Sequence, residues 1–239
     1  THCISSAASD VYKRQGMNFA LKAASSDNYE LGLKSQNPFG LFTFAIFQTD
    51  TENDIVTAGT RDGRATFRNA DQTTRQGLEL SWQQTIWKQL NIQSSFSYID
   101  AEFDSYTAEI ANPDDSTKPY AKAINKGNKI PGIAKNQAFT RIAWQPEQGF
   151  QAGLEARYMD KIYVDDINSD TAPSYTVVAA NVGYLWVNRD WKVNSYARLD
   201  NLFDRNYVGS VIVNDSNSRF FEPADGRNFS VGMSVTKAF

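Results

Sequence analysis

The stretch FSVGMSVTKAF, residues 229–239, sets the reading of the whole chain. Phe229, Val231, Met233, Val235 and Phe239 share one parity, broken only by Lys237, while Asn228, Ser230, Gly232, Ser234 and Thr236 take the other. Side chains alternate across a strand with a period of two, so this is a strand with one oily face and one wet face. A soluble sandwich and a transmembrane barrel both contain such strands. The first buries the oily face in a core, and the second turns it to lipid and leaves the polar face to a lumen. An aromatic last residue and a small polar face suited to a water-filled interior favour the barrel.

Composition is compatible with that choice. Of 239 residues 41% are hydrophobic, enough for one large domain, yet the mean hydropathy is only -0.50. No apolar run reaches the roughly 18 to 20 residues of a membrane helix, which excludes a helical membrane protein. A barrel stays open, because alternating strands average to a soluble-looking value. The 24 basic residues are outnumbered by 27 acidic ones, so there is no basic stripe for nucleic acid. One cysteine, Cys3, excludes a disulfide framework and a thiolate metal cluster, and one histidine, His2, argues against a Ser-His-Asp triad. Both lie in THCISSAASDVYKRQ, which has neither period nor turn logic. Residues 1–16 are therefore expected to be a non-native or disordered leader of the sequencing or assembly-scar kind, and residues 17–239 the barrel. No enzyme activity, metal site or cofactor is expected.

Working back from the closing strand, alternation predicts eight more. They fall at 28–35, 41–50, 73–84, 88–100, 136–145, 149–160, 174–187 and 191–203. Phe150, Ala152, Leu154, Ala156 and Tyr158 oppose Gln151, Gly153, Glu155 and Arg157, for example, and Val178, Ala180, Val182, Tyr184 and Trp186 share a face. Polar excursions are expected after residue 50, over 101–135, at VDDINSDTAPS and over 204–226, while the turns near 87, 146 and 189 are short. All five tryptophans (Trp82, Trp87, Trp144, Trp186 and Trp191) sit beside short turns. A sandwich buries Trp at mid-strand, whereas a membrane-interface girdle gathers it at the rim. The reading is thus an antiparallel transmembrane β-barrel, all-β, with short periplasmic turns and long extracellular loops. Nine strands in a row leave two open edges, which hydrocarbon does not tolerate, so the chain reads as part of a larger barrel.

Three stretches then resemble a family. LKAASSDNYELGLK (21–34) resembles the segment that TonB-dependent outer-membrane receptors place before a mid-barrel strand, with Ala23 and Ala24 where Pro and Glu are usual. FRNADQTTRQGLEL (67–80) is similar to their Asn, Arg, Gly, Val or Leu, Glu signature, carried by Asn69, Arg75, Gly77, Leu78 and Glu79. NLFDRNY (201–207), with Asn201, Leu202, Phe203, Asp204, Arg205 and Tyr207, leads towards a closing segment around Gly226, Arg227 and Phe239. Lys237 departs from the aromatic usual two residues before the terminal Phe. The resemblance implies about nine C-terminal strands of a roughly 22-stranded barrel in the outer membrane of a Gram-negative bacterium. It implies active uptake of a scarce nutrient, most often a ferric siderophore or other iron chelate. It further implies coupling to TonB, ExbB and ExbD through an N-terminal plug that this chain does not display. Other implied contacts are the barrel assembly machinery through the last strand, and membrane lipid and lipopolysaccharide around the outside.

Within that reading Asn201, Asp204, Arg205 and Tyr207 read as loop-fixing residues rather than ligands. Glu79, Arg141, Glu155, Arg157, Arg198 and Asp200 face the lumen. Small-molecule contacts are sought in the loops, at Tyr106, Tyr120, Tyr163, Asp165, Arg219, Phe220 and Phe221, because rings pack on a chelate and Arg pairs with an anionic one. Five acids against four lysines in the 101–130 loop make no basic funnel for an anionic cargo. Competing functions are a passive porin, a receptor for cobalamin, a sugar or a small organic cofactor, an outer-membrane hydrolase using carboxylates, and a soluble carbohydrate-binding sandwich.

Overall fold

The computed structural model describes residues 21–61, 64–110, 120–215 and 217–238; His2, Cys3, the 1–16 segment and Phe239 lie outside them. Among the described residues there is no helix. The strands are β1 (Ser25–Asn37), β2 (Gly40–Arg61), β3 (Arg64–Ile86), β4 (Leu90–Ile110), β5 (Tyr120–Ile124), β6 (Asn136–Trp144) and β7 (Gly149–Met159). After them come β8 (Ile162–Tyr163), β9 (Thr171–Ala172), β10 (Tyr175–Asn188), β11 (Trp191–Asp200), β12 (Val208–Val211), β13 (Phe221–Pro223) and β14 (Asn228–Lys237). One antiparallel sheet runs β1-β2-β3-β4-β6-β7-β10-β11-β14, with β5 added to the far end of β4. Two small ribbons, β8-β9 and β12-β13, stand off it. The nine main strands are those the alternation predicts.

Register explains why one face is apolar. Followed across the ladders, Ile92 pairs with Ile142, Ile142 with Leu154, Leu154 with Ala180, Ala180 with Leu199 and Leu199 with Phe229. A second row runs Leu33, Phe44, Leu80, Phe96 and Ala138. A slip of one residue in any pair would put that strand's apolar set on the other face, so the band is itself the register signal. These side chains are largely uncovered: Leu33 is 66% exposed, Leu154 49% and Phe229 78%. An apolar face this continuous is a lipid surface, not a water surface. Trp82, Trp144, Trp186 and Trp191 lie on the same face at the short-turn rim, where the ring of Phe42 stacks on Trp82 at 6.0 Å and Lys237 sits 5.4 Å over Trp191. That contact gives Lys237 an aromatic partner at the membrane boundary.

The opposite face is polar and holds two close approaches. Gly77 pairs with Phe47, and a Cβ there would stand 2.2 Å from the carbonyl oxygen of Tyr98 and 2.8 Å from the Phe47 ring. Gly232 pairs with Tyr196, whose ring would meet a Cβ at 2.6 Å. In both, an aromatic ring lies across a glycine of the next strand.

Beyond the lipid band the structure departs from the expected loops. β2 and β3 form a hairpin that continues to Arg61 and Arg64, through segments expected to be an excursion. β4 likewise continues to Ile110, and β5 pairs back on it. The alternation is present there but small: Val56, Ala70, Ala101, Phe103 and Ala108 are buried, with Tyr106, Ile124 and Ile130, in the chain's apolar core. Polar and charged residues around Ala70, Ala101, Phe103 and Ala108, such as Asn69, Asp71, Asp100, Glu102 and Asp104, mask it. The buried core therefore sits above the membrane, at the loop end.

Two outcomes follow from this packing. Ala180→Arg, at the centre of the lipid-facing row, is expected to cost about 2–4 kcal/mol in refolding into lipid bilayers, with no change if the face is lumenal. Gly77→Ala, which meets backbone, is expected to cost about 1–3 kcal/mol, and Gly232→Ala, which only displaces the Tyr196 ring, clearly less. Equal losses in chemical denaturation would contradict the contact geometry.

Candidate functional site

The loop-side ends of β2 and β3, β4 and β6, β7 and β10, and β11 and β14 all lie at the same rim, opposite the short turns at 38–39, 87–89, 145–148 and 189–190. Three polar constellations organise that rim and the lumen below it. The lumenal one joins strands: Arg198 Nη2 lies 2.9 Å from Glu155 Oε2, Arg198 Nε 2.8 Å from Asp200 Oδ1, and Arg141 Nε 3.3 Å from Glu155 Oε1. It borders a cavity of about 350 Å³ lined by Phe139, Arg157, Arg198, Asp200, Tyr207 and Asn228. Glu79 is exposed on the same inner face.

The second constellation is the clasp formed by NLFDRNY. Asn201, only 6% exposed, donates through Nδ2 to the carbonyls of Arg205 (2.8 Å) and Asp225 (3.3 Å), and its Oδ1 accepts from Arg205 N at 2.8 Å. Asp204 Oδ1 accepts from Arg227 N at 2.9 Å, across from Gly226, where a Cβ would approach that oxygen to 3.3 Å. Leu202 N donates to Val178 O at 2.7 Å, Tyr207 packs on Tyr175 at 4.4 Å between centroids, and Phe203 is exposed. Both Asn201 and Asp204 have left-handed φ, 49° and 52°, a conformation that Asn and Asp tolerate better than other side chains. The motif thus fastens the long loop to both β10 and β14. Arg205 contributes its backbone. In the other motif Asn69 exchanges bonds with the main chain of Lys22 (2.8 and 3.0 Å) and reaches the carbonyl of Asn53, itself at a left-handed φ of 52°, at 2.6 Å. Arg75 bonds Asp54 at 2.6 Å and Thr73 at 3.1 Å.

The third constellation ties the outer loops together. Arg68 Nη2 bonds Asp166 Oδ2 at 3.0 Å, and its guanidinium lies 5.3 Å over the Tyr106 ring. Tyr106, 3% exposed, also stacks on Phe103, and burial, with Asp166 beside it, pushes its phenol well above the ordinary range. Tyr106 is therefore a packing residue under the loops, closed to a ligand in this structure. Of Tyr120 only the backbone, opposite Ile110, is described. Tyr163 is half-buried with Lys161 5.1 Å over its ring, and Asp165 caps its own turn by accepting from Ser169 N (2.8 Å) and the Ser169 hydroxyl. Arg219 and Phe221 are exposed on the β12-β13 ribbon, and Phe220 meets Phe221 edge-on at 6.4 Å. Asn214 N donates to Val164 O at 3.0 Å, which brings the Tyr163–Asp165 segment beside the Arg219–Phe221 ribbon. Arg68, Asp166 and Asn214, the residues making these junctions, have no periodic or motif signal in the sequence. Among the described residues no group of His, Cys, Asp and Glu could hold a metal ion.

Just above the band, Asp100 accepts from Lys129 (2.6 Å) and Lys135 (3.1 Å), and Lys129 also reaches Glu102 at 2.9 Å. Burial alone would raise the Asp100 carboxyl, but these ammonium bonds outweigh it and hold it below its ordinary value of 3.8. A carboxylate with a lowered folded-state pKa contributes stability that is full above its unfolded value and lost as pH falls through the folded one. Acidification below about pH 4 is therefore expected to lower the protection of the Ile130 amide, which bonds Ala101 O, relative to its intrinsic exchange rate at each pH. Asp100→Asn should flatten that pH dependence.

A wall of antiparallel strands with a lipid band, a charged inner face and a densely tied outer rim defines a transmembrane barrel built to expose loops on one side. The model for the family "TonB dependent receptor-like, beta-barrel" matches residues 6–202, and the chain belongs to that family. The match begins within the 1–16 segment and ends at the clasp. Its place is the Gram-negative outer membrane. The chain is 26% identical over 206 residues to the probable TonB-dependent siderophore receptor PiuA of Acinetobacter baumannii, covering 85% of this chain and 26% of that one. It is 26% identical over 197 residues to the ferrioxamine receptor of Yersinia enterocolitica, covering 80% and 25%. The crystal structure of PiuA superposes with a TM-score of 0.68 at 24% identity, over 89% of this chain and 28% of that one. The ferric yersiniabactin uptake receptor FyuA of Yersinia pestis superposes with a TM-score of 0.64 at 21% identity, over 90% and 30%. The chain spans about a quarter of the length of the curated relatives it matches.

Proposed function

We propose that this chain is the C-terminal barrel part of a TonB-dependent importer whose cargo is a ferric siderophore or a related iron chelate. The observation that carries the cargo is the company the sequence keeps: relatives of similar identity are named as siderophore, ferrioxamine and ferrichrome receptors. Fold likeness alone does not choose a cargo, since a copper transporter, OprC, superposes with a TM-score of 0.62. Energy would come from TonB, ExbB and ExbD acting through a plug housed against the charged inner face. Lipid and lipopolysaccharide would surround the apolar band, and the barrel assembly machinery would receive β14. Tyr163, Asp165, Arg219, Phe220 and Phe221 are the ligand-contact candidates on the outer rim, with Tyr106 acting from below as support. Residues 17–239 form the barrel part in this reading, and 1–16 a leader, of which residues 6–16 fall within the family match.

The test is uptake. A strain deleted for the gene, grown under iron depletion, is expected to lose accumulation of radiolabelled iron supplied as its siderophore complex and to regain it on complementation. Unchanged iron uptake and growth from every hydroxamate and catecholate complex offered would count against an iron cargo.

A further inference from the structure

Asp166 occupies an unusual place for a loop carboxylate: its side chain is only 3% exposed. Its Oδ2 accepts from Arg68 Nη2 at 3.0 Å and its Oδ1 from Asn214 Nδ2 at 3.0 Å. Its backbone is held as firmly, with the amide donating to Asn214 Oδ1 at 3.1 Å and the carbonyl accepting from Asn128 Nδ2 at 2.9 Å. Asn214 also donates to Thr57 O at 2.7 Å, a link across 157 residues of sequence. It sits at a left-handed φ of 55°, and its carbonyl oxygen lies 2.9 Å from where a Cβ on Gly59 would stand. Asn168, at a φ of 56°, exchanges a pair of bonds with the main chain of Lys129 at 2.7 and 2.8 Å. The side chains of Asp166, Asn214, Asn128 and Asn168 thus bring together the β2-β3 hairpin, the loop after β5, the β8-β9 loop and the β12-β13 ribbon.

Such a junction is not a by-product of the lipid band, because all of it lies beyond the band and none of these partners is adjacent in sequence. Burying a carboxylate is costly unless hydrogen-bonding partners are held in place around it, so the Asp166 bonds and the geometry of the loops depend on each other. Separate loops ordered one by one would each lose conformational entropy on meeting a ligand, whereas loops already joined would not. We propose that Asp166 and Asn214 are positioning residues that lock these segments into one unit and so preset the spacing between Tyr163 and Asp165 on one side and Arg219, Phe220 and Phe221 on the other. The lock is read from the bonds themselves. Its consequence for cargo rests on the importer reading above.

The test uses the complete receptor in lipid nanodiscs, comparing the parent with Asn214→Ala and, as a second variant that keeps size and removes charge, Asp166→Asn. Hydrogen exchange at 55–59, 125–132, 162–170 and 208–222 is expected to accelerate together, by about tenfold or more, while β14 exchanges as in the parent. Acceleration confined to 208–222 in Asn214→Ala, or to 162–170 in Asp166→Asn, would overturn the lock. Titration with ferrichrome and ferrioxamine B then reads the consequence: the variants are expected to bind about tenfold more weakly whichever complex the parent binds. Concerted exchange with unchanged affinity would overturn the positioning role. A parent that binds neither complex, nor any other ferric chelate, would instead count against the cargo reading, and the exchange data would still decide the lock.

Discussion

Hydrocarbon offers no hydrogen bonds, so a strand that crosses it must find a partner for every amide and carbonyl on each side. This constraint explains the long, nearly unbroken ladders from β1 to β14 and the strict parity of their side chains. It also explains where irregularity is allowed. The register shifts at Thr57/Gly59 and Gln72/Thr73 and the left-handed φ of Asn53 all fall beyond the band, on the loop side. There water or a side chain such as Asn69 can complete what the ladder leaves open.

The same constraint divides the molecule into two packing regimes. Within the membrane the apolar side chains face outward and the inner face carries ion pairs such as Arg198 with Glu155, so the sheet has no oily interior of its own. Glycines under aromatic rings, Gly77 beneath Phe47 and Gly232 beneath Tyr196, provide close packing on that inner face. Above the membrane the logic reverses. Phe103, Val56, Ala70 and Ile130 are buried against one another, and the polar residues around them are tied by buried bonds. Segments beyond the bilayer need this second regime, because they cannot rely on the lipid for order.

Family membership and physical reading meet at the clasp and the rim rather than in the band. NLFDRNY fastens the longest loop to the end of the barrel through Asn201 and Asp204, and Asp166 and Asn214 fasten the loops to one another. Of the candidate ligand residues, Arg219, Phe220 and Phe221 lie between these two anchors, and Tyr163 and Asp165 just before Asp166. Their arrangement favours a preorganised surface over a set of independent arms.

Alternation in the sequence determined the nine main strands, their faces and the rim at which Trp gathers, because period two is a local property that lipid enforces on every strand. The clasp is marked instead by the resemblance of NLFDRNY to the family's motif, and the structure adds that its Asn201 and Asp204 sit at left-handed φ and bond the loop around them. Alternation did not reveal that β2, β3 and β4 run on past the membrane, because Ala70, Ala101 and Phe103 alternate with polar and charged residues whose density reads as loop. Nor did it separate Tyr106 from the other loop aromatics. Only the tertiary structure places that ring beneath Arg68, and only it joins Asp166 to Arg68 and Asn214, residues 98 and 48 positions away. Long-range polar contacts leave no period in a sequence, because each partner's role is fixed by where the chain returns in space.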